Sequence, residues 1–163
     1  MAGKEPDIGA TSRTVAANVK RLREAMNMNF TQLSERLIAT AGWSINAVGI
    51  RRLEAEERRV TPDDLVALAV ALGVSPITLL MPVSHSGDDA VEATGVKSGV
   101  AAHQLWRWYQ AAGQLHDGEY DEFLTFVARA LPPWRQRQVE LVESGIEPHV
   151  TRFVRERVGD GDD

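Results

Sequence analysis

The side chains in this chain best suited to do chemistry are cations. Lys20, Arg21 and Arg23 lie close together, Arg51 and Arg52 are adjacent, and Arg58 and Arg59 follow shortly after. A guanidinium offers a planar fork of donors that matches a phosphate or a carboxylate, and an ammonium offers a point charge for the same groups. The net charge is −5, but it is unevenly spread. Residues 1–60 hold ten Lys/Arg against seven Asp/Glu, whereas residues 61–163 hold eight against sixteen. That asymmetry points to a basic N-terminal surface for an anionic partner; the plainer reading is that helix faces simply differ in charge.

Nucleophiles and metal ligands are poorly represented. There are no cysteines, which excludes a disulfide framework, thiolate metal sites and cysteine catalysis, and fits a reducing, cytoplasmic setting. His85, His103, His116 and His149 lack metal-ligand spacing. Asp117, Glu119, Asp121 and Glu122 form an acidic cluster without the ligand order of a calcium loop; acids near a helix start explain it better. No glycine-rich phosphate loop occurs. The expectation is a protein with no catalytic residue, no metal and no cofactor, and not an enzyme.

With 163 residues, 44% of them apolar and 25% charged, the chain has the profile of a globular domain, or a small domain with a tail. Its longest apolar run, Leu65 to Val74, is far short of the roughly 20 residues a bilayer span needs. The first residues lack the apolar stretch of a secretory signal.

The elements that must position the cations read as helices. Residues 1–12 are polar and read as a loose arm. Val15, Val19, Leu22 and Met26 recur at helical spacing, and Asn27 suits the left-handed stop that follows. Asn29 with Gln32 three positions on forms a capping box for a second helix, with Leu33 and Leu37 facing inward. Ser44 or Asn46 caps a third helix, whose Ile50 and Leu53 face inward. Thr61-Pro62-Asp63-Asp64 is a fourth helix start, and Gly73 stops that helix. Ser75-Pro76 opens a short fifth helix through Leu80.

Residues 83–99 read as a linker, with Val91 to Val96 as a possible extended piece. Helical periodicity returns over Val100–Leu115 and Tyr120–Leu131, then over Trp134–Glu143 and Glu147–Val158, with a flexible end at 159–163. Residues 100–158 belong to the acidic half of the chain and hold Trp106, Trp108 and Trp134. The bland reading of these aromatics is a second small core; partner surface and ligand pocket are the alternatives.

Several motif pieces in order carry a resemblance: Asn18 to Glu24, Leu33 to Leu37, Ile50 to Glu54 and Asp64 to Pro76. Over residues 15–82 the chain resembles the lambda-repressor-like (xenobiotic-response-element type) helix-turn-helix regulators, especially those of actinobacteria. The resemblance implies an all-α, five-helix DNA-binding domain at residues 13–82, followed by an acidic helical association region at 100–158. It implies a sequence-specific transcriptional regulator acting as a repressor on a double-stranded DNA operator, and a homodimer formed through the C-terminal region. Within it, Asn46, Ala47, Val48, Arg51 and Arg52 match positions of the recognition helix. Lys20, Arg21, Asn29, Thr31, Arg58 and Arg59 match phosphate-contact positions, and Arg23 with Glu54 matches a fold-locking ion pair. The two arginines Arg51 and Arg52 suit bidentate bonding to guanine; Ala47 and Val48 offer only apolar contact or pack inward.

The sequence also departs from the pattern. Phe30 stands where the family often has a phosphate-binding Gln, Asn27 where a turn glycine is common, and Ser34 where a small apolar residue marks the helix crossing. Seven residues separate Leu37 from Ile45, a longer turn than the compact motif uses, and Trp43 within it belongs either to the core or to the DNA surface. Some phage repressors carry a serine–lysine peptidase domain; with Lys97 the one lysine of the C-terminal half and no strand pattern there, that activity is not expected. The rival reading is a protein-interaction module, antitoxin-like or adaptor, in which DNA binding is secondary and the acidic half takes a protein partner.

Overall fold

The computed structural model describes residues 8–96, 99–116, 118 and 120–136. The described chain is mostly helical. It runs α1 (Ala10–Ala25), α2 (Phe30–Ala41), α3 (Ala47–Glu54), α4 (Pro62–Leu72), α5 (Pro76–Leu80), β1 (Ala90–Val91), β2 (Val100–Ala101), α6 (Ala102–Tyr109), α7 (Tyr120–Ala130) and α8 (Pro133–Gln136). No described helix is long and apolar enough to cross a membrane.

Local chemistry sets the helix ends. Asn29 Oδ1 accepts the Gln32 amide at 2.9 Å, and Gln32 Oε1 accepts the Asn29 amide at 2.8 Å. Two otherwise unpaired backbone donors are thereby satisfied at the start of α2. Thr61 and Asp64 do the same for α4, with Pro62 at its first position. Asn46, not Ser44, caps α3 by accepting the Gly49 amide at 2.7 Å. Asn27 adopts a left-handed φ of 53° after α1, and Gly73 one of 68° after α4.

Helices α1 to α5 share one core. It is built from Val15 and Val19 of α1, Leu33 and Leu37 of α2, Ile50 and Leu53 of α3, Leu68 and Leu72 of α4, and Leu79 of α5. Each such side chain contributes about 1.5–3 kcal/mol by leaving water. Asn18 is a polar member of this interior. Its amide donates to the carbonyls of Leu79 at 3.1 Å and Met81 at 2.7 Å, so α1 holds the carbonyl end of α5. A buried amide that is fully bonded fixes one packing arrangement instead of destabilising the core.

The described part of the stretch read as a linker takes part in folded structure. Val91 pairs with Val100 and Ala90 with Ala101 in an antiparallel hairpin. Val91, Ala93, Val100, Ala102 and Leu105 bury a second small core, with Met81, Val96, Tyr109 and Leu115 packed against it. The first amides of α6 need acceptors. Ala102 donates to Asp89 O and His103 to Gly87 O, both at 2.9 Å, so residues 85–89 act as a cap for α6. This pairing also starts α6 at Ala102 and not at Val100, and it ends at Tyr109, short of Leu115.

Residues 10–12, expected in a loose arm, belong to α1. The cause is a reciprocal pair of bonds to the hairpin: Thr11 N–H to Thr94 Oγ1 at 3.1 Å, and Thr94 N–H to Thr11 Oγ1 at 2.9 Å. The second core is thus fastened to the beginning of the first. Helix α7 matches the expected span at Tyr120–Leu131 within one residue. Residues 1–7, most of the expected helix Trp134–Glu143, all of Glu147–Val158, and the end at 159–163 lie outside the described residues.

Candidate nucleic-acid interface

Helix α3 has eight residues, too short to be stable alone in water. Tertiary contacts hold it at both ends. At its C-terminal end, Arg23 of α1 grips Glu54 in a fork: Nε to Oε1 at 2.6 Å and Nη2 to Oε2 at 2.7 Å. The two side chains are only 9% and 5% exposed. Arg23 Nη1 also donates to Met28 O at 2.8 Å, and the guanidinium lies 4.5 Å from the centre of the Phe30 ring. Hydrogen bonding to Glu54 raises the Arg23 pKa further above its usual value, against the opposing effect of burial. Phe30, at the position of a phosphate-binding Gln in the resembled family, is instead the platform beneath Arg23.

At the N-terminal end, the chain enters α3 through a turn that Gly42 begins in a left-handed conformation, φ 61°. Ser34 of α2 donates its hydroxyl to Ile45 O at 2.7 Å. Trp43 donates its indole N–H to Asp64 Oδ1 at 2.9 Å. Trp43 therefore belongs to neither of its two expected settings in full: its ring is partly exposed, while its polar edge is tied to the first turn of α4.

With Ile50 and Leu53 turned inward, the opposite face of α3 carries Val48, Arg51 and Arg52 at i, i+3 and i+4, and Ala55 continues it at the C-cap. Val48 is 59% exposed, and the side chains of Arg51 and Arg52 are 53% and 54% exposed. Val48 is not an inward-packing residue; Ala47 is intermediate. Both arginines lean on the exposed Glu57 carboxylate at 3.8 Å. Exposed ion pairs of that length contribute little, so both guanidinium groups can be redeployed to another anion at small cost.

The other cations fall into different settings. Lys20 is exposed on α1. Arg21 is exposed too, and donates to Asn18 Oδ1 at 3.2 Å beside the end of α5. Thr31 and Asn29 sit at the exposed start of α2, with the Asn29 side chain engaged in the cap. Arg59 is exposed. Arg58 is drawn inward: its Nη2 donates to the buried Asp64 carboxylate and its Nε to Arg59 O, so a structural carboxylate pairs with the charge that the resemblance assigned to phosphate.

Asp64 is the member of this region that sequence reading undervalued, as one of two acids at a helix start. Burial pushes its pKa up, but bonds from the Trp43 indole and from Thr61, with the Arg58 charge, outweigh burial and hold it below the usual carboxylate value. Its signal in the sequence was its third-position place after Thr61, which announces the cap but not the partners at 43 and 58. Among the described residues no group of His, Asp and Glu is placed to hold a metal ion.

Comparison with protein-family models, curated proteins and solved structures finds no match to this chain.

Proposed function

We propose that this chain is a sequence-specific DNA-binding regulator of transcription of the lambda-repressor-like helix-turn-helix type, acting as a repressor. The observation that carries the reading is the outward face of α3, where Arg51 and Arg52 stand exposed on a helix pinned at both ends. From Val48 to Ala55 this face runs about 10 Å at 1.5 Å per residue. That length suits a major groove about 12 Å wide, and adjacent guanidinium forks suit guanine O6 and N7. Lys20, Arg59 and the start of α2 at Asn29 and Thr31 would then meet phosphates, which set register without reading sequence. Arg21 belongs to this group if its bond to Asn18 yields. Exposed Trp106 and Trp108 of α6 favour self-association through the C-terminal region.

The test is a gel shift on selected and random DNA at 50 and 200 mM salt, with Arg51→Ala/Arg52→Ala beside the wild type. A regulator neutralising about six phosphates loses on the order of 10³-fold in affinity across that range. The double variant is expected to lose preference for the selected sequence while remaining folded. Equal binding to both DNAs, unchanged in the variant, would reject the reading.

One observation favours the rival reading of an interaction module. A surface groove of about 440 Å³ lies between the end of α2 and α4, lined by Trp43, Val66 and Val70 among others. A protein partner held there would stay bound at 200 mM salt, where a DNA complex weakens.

A further inference from the structure

Three segments of the chain converge on one buried carboxylate. Trp43, from the turn before α3, donates to Asp64 Oδ1 at 2.9 Å. Arg58, from the loop after α3, donates to Oδ2. The Thr61 amide donates to Oδ2 at 3.3 Å, anchoring the group at the start of α4. Trp43 lies four residues before the first residue of α3, and Arg58 four residues after its last. Asp64 therefore ties the entrance of the helix to its exit.

The same group touches the first turn of α3. Gly49 has no side chain, and a Cβ placed there would stand 3.3 Å from Arg58 Nη1, 3.2 Å from Asn46 Oδ1 and 3.0 Å from Ile45 Cγ2. Arg58 thus packs directly over the backbone that Asn46 caps. Without Asp64 the long turn keeps its ties to α2, the Ser34 bond to Ile45 O, the Gly42 and Trp43 amides on Ile38 O and Leu37 O, and the buried Ile45 side chain, but loses its tie to α4 and to the exit of α3. The carboxylate itself is buried and anionic, so it does not meet DNA.

We propose that Asp64, Trp43 and Arg58 form a positioning clamp that sets the angle of α3, and through it which base edges Arg51 and Arg52 reach. The inference rests on the DNA-binding reading above and deepens it. The clamp answers a need created by this sequence: Arg23 fixes the C-terminal end of α3 through Glu54, while a turn lengthened between Leu37 and Ile45 leaves its N-terminal end more room to shift. A tilt displaces the arginine forks from the base edges but leaves the charge available to phosphates almost unchanged. Sequence preference and general DNA affinity should therefore separate.

The experiment selects preferred sites from a random duplex library with the full wild-type chain, then measures affinity for the best site and for random DNA. The variants are Trp43→Phe, which keeps the ring and loses the donor, and Asp64→Asn, which keeps the shape and loses the charge. Arg58→Lys keeps the charge and loses the fork, and serves if Asp64→Asn does not fold. Leu79→Ala, on α5 and outside the clamp, is the control for general destabilisation. Circular dichroism and melting identify the folded variants.

The expected result is random-DNA affinity and salt slope close to wild type, with preference for the selected site reduced about tenfold to a hundredfold, the discrimination carried by a good bidentate base contact. Reselection with Trp43→Phe should return a changed site. Preference kept within about twofold in the folded variants, or lost equally in Leu79→Ala, overturns the clamp alone. Wild-type protein with no preference over random DNA overturns the DNA reading, and the clamp with it.

Discussion

Replacing Glu54 with Gln should destabilise the chain far more than the loss of a surface charge would. The carboxylate accepts two short bonds from Arg23, and both side chains are almost wholly removed from water. Gln keeps the volume and one acceptor, but it turns an amide donor toward the guanidinium. Arg23 retains that one neutral oxygen, Met28 O and the Phe30 ring, with the half-exposed Glu24 carboxylate at 3.5 Å. Breaking a buried pair by neutralising one partner costs about 3–5 kcal/mol, because the remaining charge is stranded. At about 2–4 °C per kcal/mol for a chain of this size, Tm falls by roughly 6–20 °C. Thermal and urea unfolding followed by circular dichroism measure it. Arg23→Met/Glu54→Leu, which removes both charges and keeps apolar volume, should recover most of the loss. The loss should also persist at high salt, since buried charges are weakly screened. A Tm for Glu54→Gln within about 2 °C of wild type, or a loss abolished by salt, would refute the claim that this pair fastens α1 to α3.

Three further outcomes follow from particular contacts. Asp64 has its folded pKa held below its ordinary value of 3.8, so below pH 3.8 the unfolded chain takes up a proton that the folded chain resists. Its contribution is complete above that value and is lost as pH falls through the folded pKa; urea midpoints at pH 7, 4 and 3 should drop more steeply in wild type than in Asp64→Asn. Thr61→Ala removes the cap oxygen that accepts the Asp64 amide at 3.1 Å, and should cost about 1 kcal/mol in urea unfolding. Leu105→Ala empties a fully buried place in the second core, at about 2–5 kcal/mol; hydrogen exchange should rise at Ala102 and His103 well before the α2 and α4 amides respond.

How much was legible depended on how local the cause was. The capping box at Asn29, the Thr61 cap, the α3 cap narrowed to Ser44 or Asn46, and the left-handed stops at Asn27 and Gly73 involve residues within three or four positions of one another. Their geometry is set by backbone chemistry alone, so reading them from the sequence needed no fold. The inward faces of α1 to α4 were legible too, because helical periodicity records which side leaves water; Met26, the last of the α1 stripe, is the exception, exposed just past the helix end. The outward run of Val48, Arg51 and Arg52 follows from the same periodicity once Ile50 and Leu53 are known to turn inward.

Two-residue strands carry no periodicity, so the hairpin of Ala90–Val91 with Val100–Ala101 was hidden in a stretch rich in small and polar residues. Its stability comes from burial against α6 and from Thr94 bonding to Thr11, 83 positions away. Arg58 shows the same limit more sharply. By composition it is one of a pair of exposed cations after two acids, and only the folded chain brings the buried Asp64 carboxylate to it. The sequence by itself determined where α2, α4 and α5 start, where α1 and α4 stop, and which sides of α1 to α4 are apolar. The tertiary structure decided which charges are spent inside the molecule, at Arg23 and Arg58, and which remain outside, at Arg51 and Arg52. The physical reason is that these helix ends are interactions within one turn of the chain, whereas a charge's role depends on whether the fold brings a partner from outside its own helix or loop to neutralise it.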